Sequence, residues 1–401
     1  MVTGYLQTEI RGEKVYIKAD RVGKLREVGA VIFDCDGVLI DIRDSYNAAI
    51  SETVTYLLEE LTGASFPQDL VSREIIYLFK RSGGFNNDWD LAYAILAFIL
   101  CELPGDFQEA FKKQVDANQF EKDPFRRFLS VKKGVRKEYN ADSLDDVTVG
   151  LGLSLRQLAE TSDASGVVSV EEKLAGPQNA PASVGEFYAA VKRLLSYPGG
   201  VGESLLVAVF EEIFCGPRLF KEVYKLEPRI HQERGLIENE RVILRPEALD
   251  QLASLLGEAN FGVASGRLSK LAEHTLKGLL RRFNPKALVF LDDTDAAERE
   301  AWRSRGTAVN LRKPNPFSLL EASKGLKPFK VALYVGDSME DVLLVKEANK
   351  VDSRFMFAGV YEHSDCKGDV LRDFLGAGVE AVVPSVNELP TVLKALKEEG
   401  P

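Results

Sequence analysis

The sequence predicts an α/β protein with a doubly wound parallel sheet as its core and a large, mostly α-helical insertion. Short apolar runs that are typical of buried strands recur in the C-terminal part of the chain, and one more lies near the start. Amphipathic helical patterns separate these runs, as in βαβ units. Between the first run and the others, a long stretch carries apolar residues at helical spacing instead, which predicts the insertion.

The predicted core strands are short and apolar. The first, Val28–Phe33, stops at Asp34, so polar residues follow the carboxyl end of a strand. An alternating stretch around Val15 and Ile17 predicts a further short strand or hairpin arm. The remaining core strands, which would complete a sheet of five or six, are predicted at 261–265, 287–291, 331–335, 355–360 and 381–383.

The predicted domain boundaries follow these changes of pattern. Residues 27–45 and 245–401 form the α/β core, and residues 46–244 form the helical insertion. Residues 1–26 are expected to be an N-terminal extension. Within the insertion, residues 161–183 are rich in Ser, Ala, Gly and Pro, which predicts a loop or a poorly ordered linker.

Composition narrows the possible classes of function. The 401 residues suffice for two domains, and a net charge of −10 argues against nucleic acid or an anionic membrane as partner. No apolar run approaches the ~20 residues of a membrane helix, and we expect no signal peptide. Four scattered cysteines are typical of a reduced, cytoplasmic protein. The three histidines lie outside any motif, so carboxylates must carry the chemistry.

Two carboxylates follow the first strand, in the segment Asp34-Cys-Asp36-Gly. In a strand, this spacing directs both side chains to the same side, so they could share a cation or divide nucleophile and acid roles. A carboxylate beside Mg²⁺ and in line with phosphorus can form an aspartyl-phosphate. Asp34 is therefore the candidate nucleophile. Asp36 is the candidate acid and base, which protonates the leaving oxygen and later takes a proton from water.

Further polar signals follow later strand-like elements. Ser265 and Gly266 offer a hydroxyl and an amide to phosphoryl oxygens, and the Lys313 ammonium could offset the charge of nucleophile and phosphate. Asp337 and Asp341 can face one side of an opening helical turn and offer hard oxygens that suit Mg²⁺. Each signal alone more often marks a turn, a loop or a helix cap. Their shared position at the carboxyl ends of strands favours a ligand site.

The predicted core resembles the haloacid dehalogenase superfamily, whose four motifs are matched in order by Asp34-x-Asp36-Gly, Ser265, Lys313 and Gly-Asp337-x-x-x-Asp341. The resemblance implies a Rossmann-like sheet, with Asp34 as nucleophile and Asp36 as acid and base. It also implies Mg²⁺ held by Asp34, Asp337 and the carbonyl oxygen of Asp36. The same resemblance implies that Asp341 supports this metal site. The dehalogenases themselves lack the second aspartate of the first motif, so the resemblance implies phosphoryl chemistry.

The insertion lies where subfamily I members carry a helical cap of the C1 type, which could exclude water and select substrates. It is longer than the compact four-helix caps of phosphoglycolate phosphatase-like members. Its segments 83–90 and 235–240 look similar to a less characterised, subfamily IA-like branch. A loop that caps the helix beginning near Asp88 is the alternative interpretation of the first segment. The candidate substrate-binding residues of that segment are Asn86, Asn87, Asp88 and Trp89.

The leading hypothesis is a Mg²⁺-dependent phosphatase that hydrolyses a phosphomonoester of a small phosphorylated metabolite. A phosphomutase is the nearest alternative, since the same aspartyl-phosphate could pass to a sugar if the cap excluded water. A non-catalytic binding protein on the same fold is the alternative from a different class.

Overall fold

The structure, a computed structural model, describes residues 4–85, 87–139, 145–175, 182–326 and 328–398. The chain divides into two compact units. The sheet unit comprises Met1–Arg43 and Glu240–Pro401, and the helical unit comprises Asp44–Asn239.

Ten strands are described, all in the sheet unit. They are β1 Tyr5–Ile10, β2 Glu13–Lys18, β3 Val28–Phe33, β4 Ile40–Asp41, β5 Arg241–Val242, β6 Phe261–Ala264, β7 Leu288–Val289, β8 Val331–Gly336, β9 Phe355–Val360 and β10 Ala381–Val383. Eight of them form one sheet in the order β1-β2-β10-β9-β8-β3-β6-β7, which is parallel from β10 to β7. This confirms the predicted α/β class.

Helices make up the rest of the regular structure. They are α1 Val22–Leu25, α2 Tyr46–Thr62, α3 Arg73–Arg81, α4 Asp88–Glu102, α5 Gly105–Ala117, α6 Pro124–Glu138, α7 Asp145–Glu160, α8 Val167–Ala175, α9 Ala182–Leu195, α10 Leu205–Tyr224, α11 Pro246–Leu256, α12 Ser269–Leu276, α13 Leu291–Arg305, α14 Phe317–Lys324, α15 Met339–Val351, α16 Lys367–Ala377 and α17 Leu389–Glu398. Among the described helices, none is long and apolar enough to cross a bilayer.

The central strands are buried on both faces, as in a doubly wound, Rossmann-like sheet. Successive side chains of a strand point to opposite faces. In β8, Leu333 and Val335 join a buried cluster to which α11 and α17 contribute Leu249 and Leu393. The ring of Tyr334, on the opposite face, stacks on Phe357 of β9, which contacts Phe374 of α16. A strand with two buried faces reads as an apolar run, which is why the core strands were predictable.

An N-terminal hairpin enlarges the sheet beyond the five or six strands that the sequence predicts. Strands β1 and β2 pair antiparallel, and β2 pairs antiparallel with β10 through Ile17↔Ala381 and Tyr16↔Val382. Val15, Tyr16 and Ile17 are buried, whereas β1 is mostly exposed. An exposed edge strand carries little hydrophobic pattern, so its place in the sheet was not predictable.

The helical unit is built around α4. This helix is apolar nearly all round, which is typical of a helix buried in a core, and it packs against α2, α8, α9 and α10. Helix α8 corrects the prediction of a loop or linker over 161–183, because residues 167–175 are helical and bury Val170 and Leu174. Residues 176–181 of that segment lie outside the described part of the chain.

Candidate active site

The sheet order brings three of the sequence motifs to neighbouring strand ends. Strand β3 lies between β6 and β8, and Phe33 is in register with Val263 on one side and Val335 on the other. Asp34 follows β3, and its N–H donates to the carbonyl of Val335 at 2.9 Å. Ser265 follows β6 directly. Side chains beyond these parallel strands therefore share the edge at which open α/β sheets bind ligands.

Lys313 lies between α13 and α14, which corrects the prediction that it follows a strand-like element. It joins two carboxylates from different strand ends. Its Nζ lies 3.0 Å from Oδ1 of Asp34 and 2.9 Å from Oδ1 of Asp341, and all three side chains are largely buried. Burial disfavours the ammonium form, but the charges of Asp34 and Asp341 outweigh it and raise the pKa of Lys313 well above its usual range. The ammonium therefore stays charged between the two acids.

Asp34 is buried beside this ammonium. The N–H of Cys35 donates to its Oδ1 at 2.8 Å, the same oxygen that Lys313 contacts. Burial raises the pKa of Asp34 to about 7, against the attraction of Lys313 and with added repulsion from Asp341 and Asp36. A bound cation would favour the ionised carboxylate.

Three carboxylates could hold a metal ion. Oxygens of Asp34, Asp337 and Asp341 lie within 4.8 Å of one another. Hard oxygen donors of this kind suit Mg²⁺. Asp341 is also engaged by the protein, since its Oδ1 lies 3.1 Å from the Tyr334 hydroxyl and its Oδ2 accepts from the hydroxyl of Ser338 at 2.8 Å. Asp341 is thus suited to fix Lys313 and the start of α15, which leaves Asp34 and Asp337 as the better placed ligands.

Gly37 makes room for Asp337. It has a φ of +72°, and a Cβ built on it would lie 1.8 Å from Oδ2 of Asp337. Only glycine combines this backbone conformation with such a close approach. The turn that follows Asp34 and the carboxylate that follows β8 are therefore packed directly against each other.

Asp36 lies in a tight loop after β3. The N–H of Ile40 donates to Cys35 O at 2.9 Å, and that of Gly37 donates to Ile40 O at 2.8 Å. Oδ1 of Asp36 lies 2.7 Å from Nη1 of Arg267, whose other terminal nitrogen, Nη2, lies 2.6 Å from Oε2 of Glu240. Asp36 therefore accepts a charge-assisted hydrogen bond from a buried arginine.

Ser265 and Gly266 differ in exposure. Ser265 is buried, and its Oγ accepts from the N–H of Arg267 at 3.3 Å. Gly266 is exposed, with open space where a Cβ would stand. A phosphoryl oxygen could approach the backbone at Gly266 without a steric obstacle.

The candidate substrate residues of the helical unit have partners within that unit. Asn86 lies outside the described residues. The Asn87 side chain accepts from the N–H of Trp89 at 2.9 Å and so caps α4, and Asp88 pairs with Lys80 at 2.8 Å. The Trp89 indole donates to buried Glu211 at 2.8 Å.

Three residues of the sheet-unit site were not identified from the sequence. The hydroxyl of Tyr334 accepts a hydrogen bond from Lys313 Nζ at 2.7 Å and contacts Asp341. Because Tyr334 lies inside an apolar strand, its sequence context predicts only an aromatic residue of the core. Arg267 directly follows Ser265 and Gly266, and this adjacency was the available signal. Glu240 ends the segment 235–240 that the family resemblance singled out, but it lies far from the motifs along the chain, and the resemblance gave it no contact with them.

Comparisons with known proteins give a likeness of fold. No protein family model and no curated protein matches the chain. Among solved structures, the X-ray structure of the Northeast Structural Genomics Consortium target ZR25 is similar, with a TM-score of 0.62 and 22% identity over 93% of this chain and 100% of that chain. Phosphatase Tt82 from Thermococcus thioreducens is similar with a TM-score of 0.44 and 21% identity over 86% of this chain and 98% of that chain. The likeness to target ZR25 supports the α/β fold described above.

Proposed function

We propose that this chain is a Mg²⁺-dependent phosphatase of the haloacid dehalogenase superfamily, which hydrolyses a phosphomonoester of a small metabolite. The observation that carries the proposal is the buried Lys313 ammonium, 3.0 Å from Asp34 and 2.9 Å from Asp341, with Asp337 in the same carboxylate cluster. Placing three carboxylates close together, two of them buried, costs free energy that stability alone does not explain. Binding of a cation and an anionic substrate at this site would account for the clustered charges.

Asp34 would be the nucleophile. Its Oδ1 is held by Lys313 and by the N–H of Cys35, so Oδ2 would attack phosphorus. The new bond joins Oδ2 to phosphorus while the bond from phosphorus to the leaving oxygen breaks, and Asp36 gives its proton to that oxygen. Water then attacks the phosphorus of the aspartyl-phosphate and gives its proton to Asp36. Phosphate leaves, and Asp34 is restored.

The remaining residues would bind and neutralise charge. Ser265 and the backbone of Gly266 would donate to phosphoryl oxygens, and Lys313 would balance the charge of nucleophile and phosphate. Mg²⁺ held by Asp34, Asp337 and the Asp36 carbonyl would supply further positive charge at the phosphoryl group. By the family resemblance, we assign substrate selection to the helical unit.

Phosphate release tests the proposal. Protein with Mg²⁺ should release phosphate from an aryl phosphate, and Asp34→Asn should abolish release. Asp352→Asn, which alters a partly exposed carboxylate paired with Arg354, is the matched control and should keep the activity. Full activity of the Asp34→Asn variant would refute the nucleophile assignment. A panel of phosphorylated metabolites then separates the alternatives, because a mutase would isomerise a sugar phosphate without net release, and a binding protein would do neither.

A further inference from the structure

A buried arginine links the candidate acid and base to a second buried carboxylate. The side chains of Arg267 and Glu240 are both 0% exposed, and their ion pair measures 2.6 Å. The same guanidinium reaches Asp36 Oδ1 at 2.7 Å. Arg267 thus bridges a wholly enclosed carboxylate and one that is 26% exposed at the site.

Arg267 is held through its backbone as well as through its side chain. The Arg267 N–H donates to Ser265 Oγ at 3.3 Å, and the Arg267 carbonyl accepts from the N–H of Leu291 at 3.0 Å. Its anchor, Glu240, also accepts from the Thr275 hydroxyl. Since guanidinium is planar and donates from a rigid fork, holding one nitrogen on Glu240 directs the other at Asp36.

Both carboxylates belong to chain segments that pair with each other. Asp36 begins the turn that leads into β4, and Glu240 directly precedes β5. Strands β4 and β5 pair through Ile40↔Val242 and Asp41↔Arg241. The arginine therefore ties together two segments whose backbones are already in register.

Stability alone is a weak reason for this arrangement. Removing two charges from water costs about as much as their attraction returns, and apolar residues of similar size often stabilise a fold equally well. A purely structural ion pair would also have no need to reach a carboxylate at the edge of the candidate site. The contact with Asp36 is the part that calls for a functional reason.

We infer that Arg267 is a positioning residue for Asp36, with Glu240 as its anchor, an inference that rests on the proposed phosphatase function. Arginine can only donate hydrogen bonds, so the oxygen that it contacts, Oδ1, is the one without a proton. The proton that Asp36 exchanges with the leaving group and with water is then carried by Oδ2. Arg267 thereby selects which oxygen of Asp36 faces the reaction.

Leaving-group dependence separates positioning from mere structure. A general acid matters most when the leaving oxygen is basic and little when it leaves readily as an anion. Phenyl phosphate and p-nitrophenyl phosphate are the two probes, with kcat and KM measured for each. Arg267→Lys keeps the charge beside Glu240, but a single ammonium cannot bridge two carboxylates as guanidinium does.

We expect Arg267→Lys to lower kcat/KM for phenyl phosphate roughly ten- to hundredfold, with a much smaller loss of kcat/KM for p-nitrophenyl phosphate. The ratio kcat/KM is compared because it reports transfer of the phosphoryl group to Asp34, whereas kcat also includes hydrolysis of the aspartyl-phosphate that both probes share. Glu240→Gln weakens the anchor and keeps its shape. It should therefore lower the rate with phenyl phosphate more than the rate with p-nitrophenyl phosphate, as Arg267→Lys does, but by a smaller factor. Arg354→Met removes an exposed arginine and should change neither. Thermal unfolding shows whether each variant is still folded. If Arg267→Lys is not folded, the rates of Glu240→Gln with the two probes test the inference instead.

Equal losses of kcat/KM with both probes, or no loss with either, would overturn the inference while leaving the proposed function intact, provided that the wild-type protein releases phosphate and Asp34→Asn does not. If the wild-type protein releases no phosphate, the proposed function fails, and the inference about Arg267 fails with it.

Discussion

The ammonium of Lys313 lies 2.7 Å from the hydroxyl oxygen of Tyr334. That hydroxyl also lies 3.1 Å from Oδ1 of Asp341 and 3.1 Å from the carbonyl oxygen of Ala264, one residue before Ser265. One buried phenol thus contacts two motif residues, Lys313 and Asp341, and the residue that precedes a third, Ser265. It holds the base of the candidate site together.

Tyr334→Phe removes only this hydroxyl oxygen. We expect a loss of about 1 kcal/mol in the free energy of unfolding, because buried partners lose a hydrogen bond, and a kcat roughly tenfold lower, because Lys313 is less well fixed. Urea unfolding and phosphate release measure the two effects. Tyr361→Phe is the control, since its hydroxyl donates to Lys14 O in another part of the sheet unit. An unchanged kcat in Tyr334→Phe would show that the hydroxyl serves stability alone.

Lys313→Met keeps the length of the side chain and removes its charge. Asp34 and Asp341 then face each other without a cation between them, and a phosphoryl group loses a positive partner. We expect kcat to fall on the order of 10²–10³-fold, as for the loss of one preorganised charge or donor. Lys350→Met, which alters an exposed lysine paired with Glu347, is the control and should be neutral. Near-normal turnover by Lys313→Met would exclude Lys313 from the reaction.

Gly37→Ala should displace Asp337. The added methyl would lie 1.8 Å from the Asp337 carboxylate, and a φ of +72° costs a non-glycine residue about 1–2 kcal/mol. We therefore expect weaker Mg²⁺ activation, seen as a higher Mg²⁺ concentration for half-maximal activity and a smaller Mg²⁺-induced rise in melting temperature. Gly278→Ala, where nothing lies within 4 Å of the new methyl, should leave both readouts unchanged. A normal Mg²⁺ response in Gly37→Ala would argue against Asp337 as a ligand.

Glu211 makes the stability of the helical unit depend on pH. Burial raises the pKa of this carboxyl, although Tyr224, Trp89 and Cys215 oppose the shift with hydrogen bonds. A folded-state pKa above the unfolded value means that the folded state binds more protons, so stability falls as pH rises from about 4.5 through the raised pKa. Glu211→Gln removes this loss. Its stability relative to the wild-type protein should therefore be greater at pH 8 than at pH 5 in urea unfolding.

The neighbouring Glu212 provides the contrast. Its Oε2 accepts from the backbone N–H groups of Arg229, Ile230 and His231 at 2.9, 2.6 and 3.0 Å. A neutral amide accepts such bonds less strongly, so Glu212→Gln should lose roughly 1–3 kcal/mol of unfolding free energy in the same urea measurement. If Glu211→Gln lost the same stability relative to the wild-type protein at pH 5 and at pH 8, burial would not be the dominant influence on Glu211.

Much of the sheet and the cluster of motif residues followed from local sequence. Strands such as Val28–Phe33 and Phe355–Val360 are apolar throughout, and the predicted bounds of both match the structure. Asp34 and Asp337 follow neighbouring parallel strands, so their proximity follows from sheet order. Their catalytic and metal-binding roles stay predictions.

The parts that were missed depend on tertiary contacts. The short β7 gives way to α13 at Leu291, although the apolar run 287–291 suggests a full strand. Helix α8 forms in a segment of loop-like composition, where packing against α4 and α9 supports it. Glu240 becomes part of the site only because a distant chain segment returns beside β4. Such long-range contacts leave no local pattern.

The pairing of β4 with β5 means that the chain leaves the sheet unit and re-enters it at one place. In an antiparallel pair, Cα atoms of facing residues are about 5 Å apart, so a two-residue Asn-Gly turn could connect Ile42 to Glu240 as an ordinary hairpin. Deleting the intervening residues would then leave the strand order unaltered and retain Asp34, Asp36 and Arg267. The helical unit is therefore inserted into the sheet unit at a single point, and along the chain this point lies only a few residues after Asp34 and Asp36.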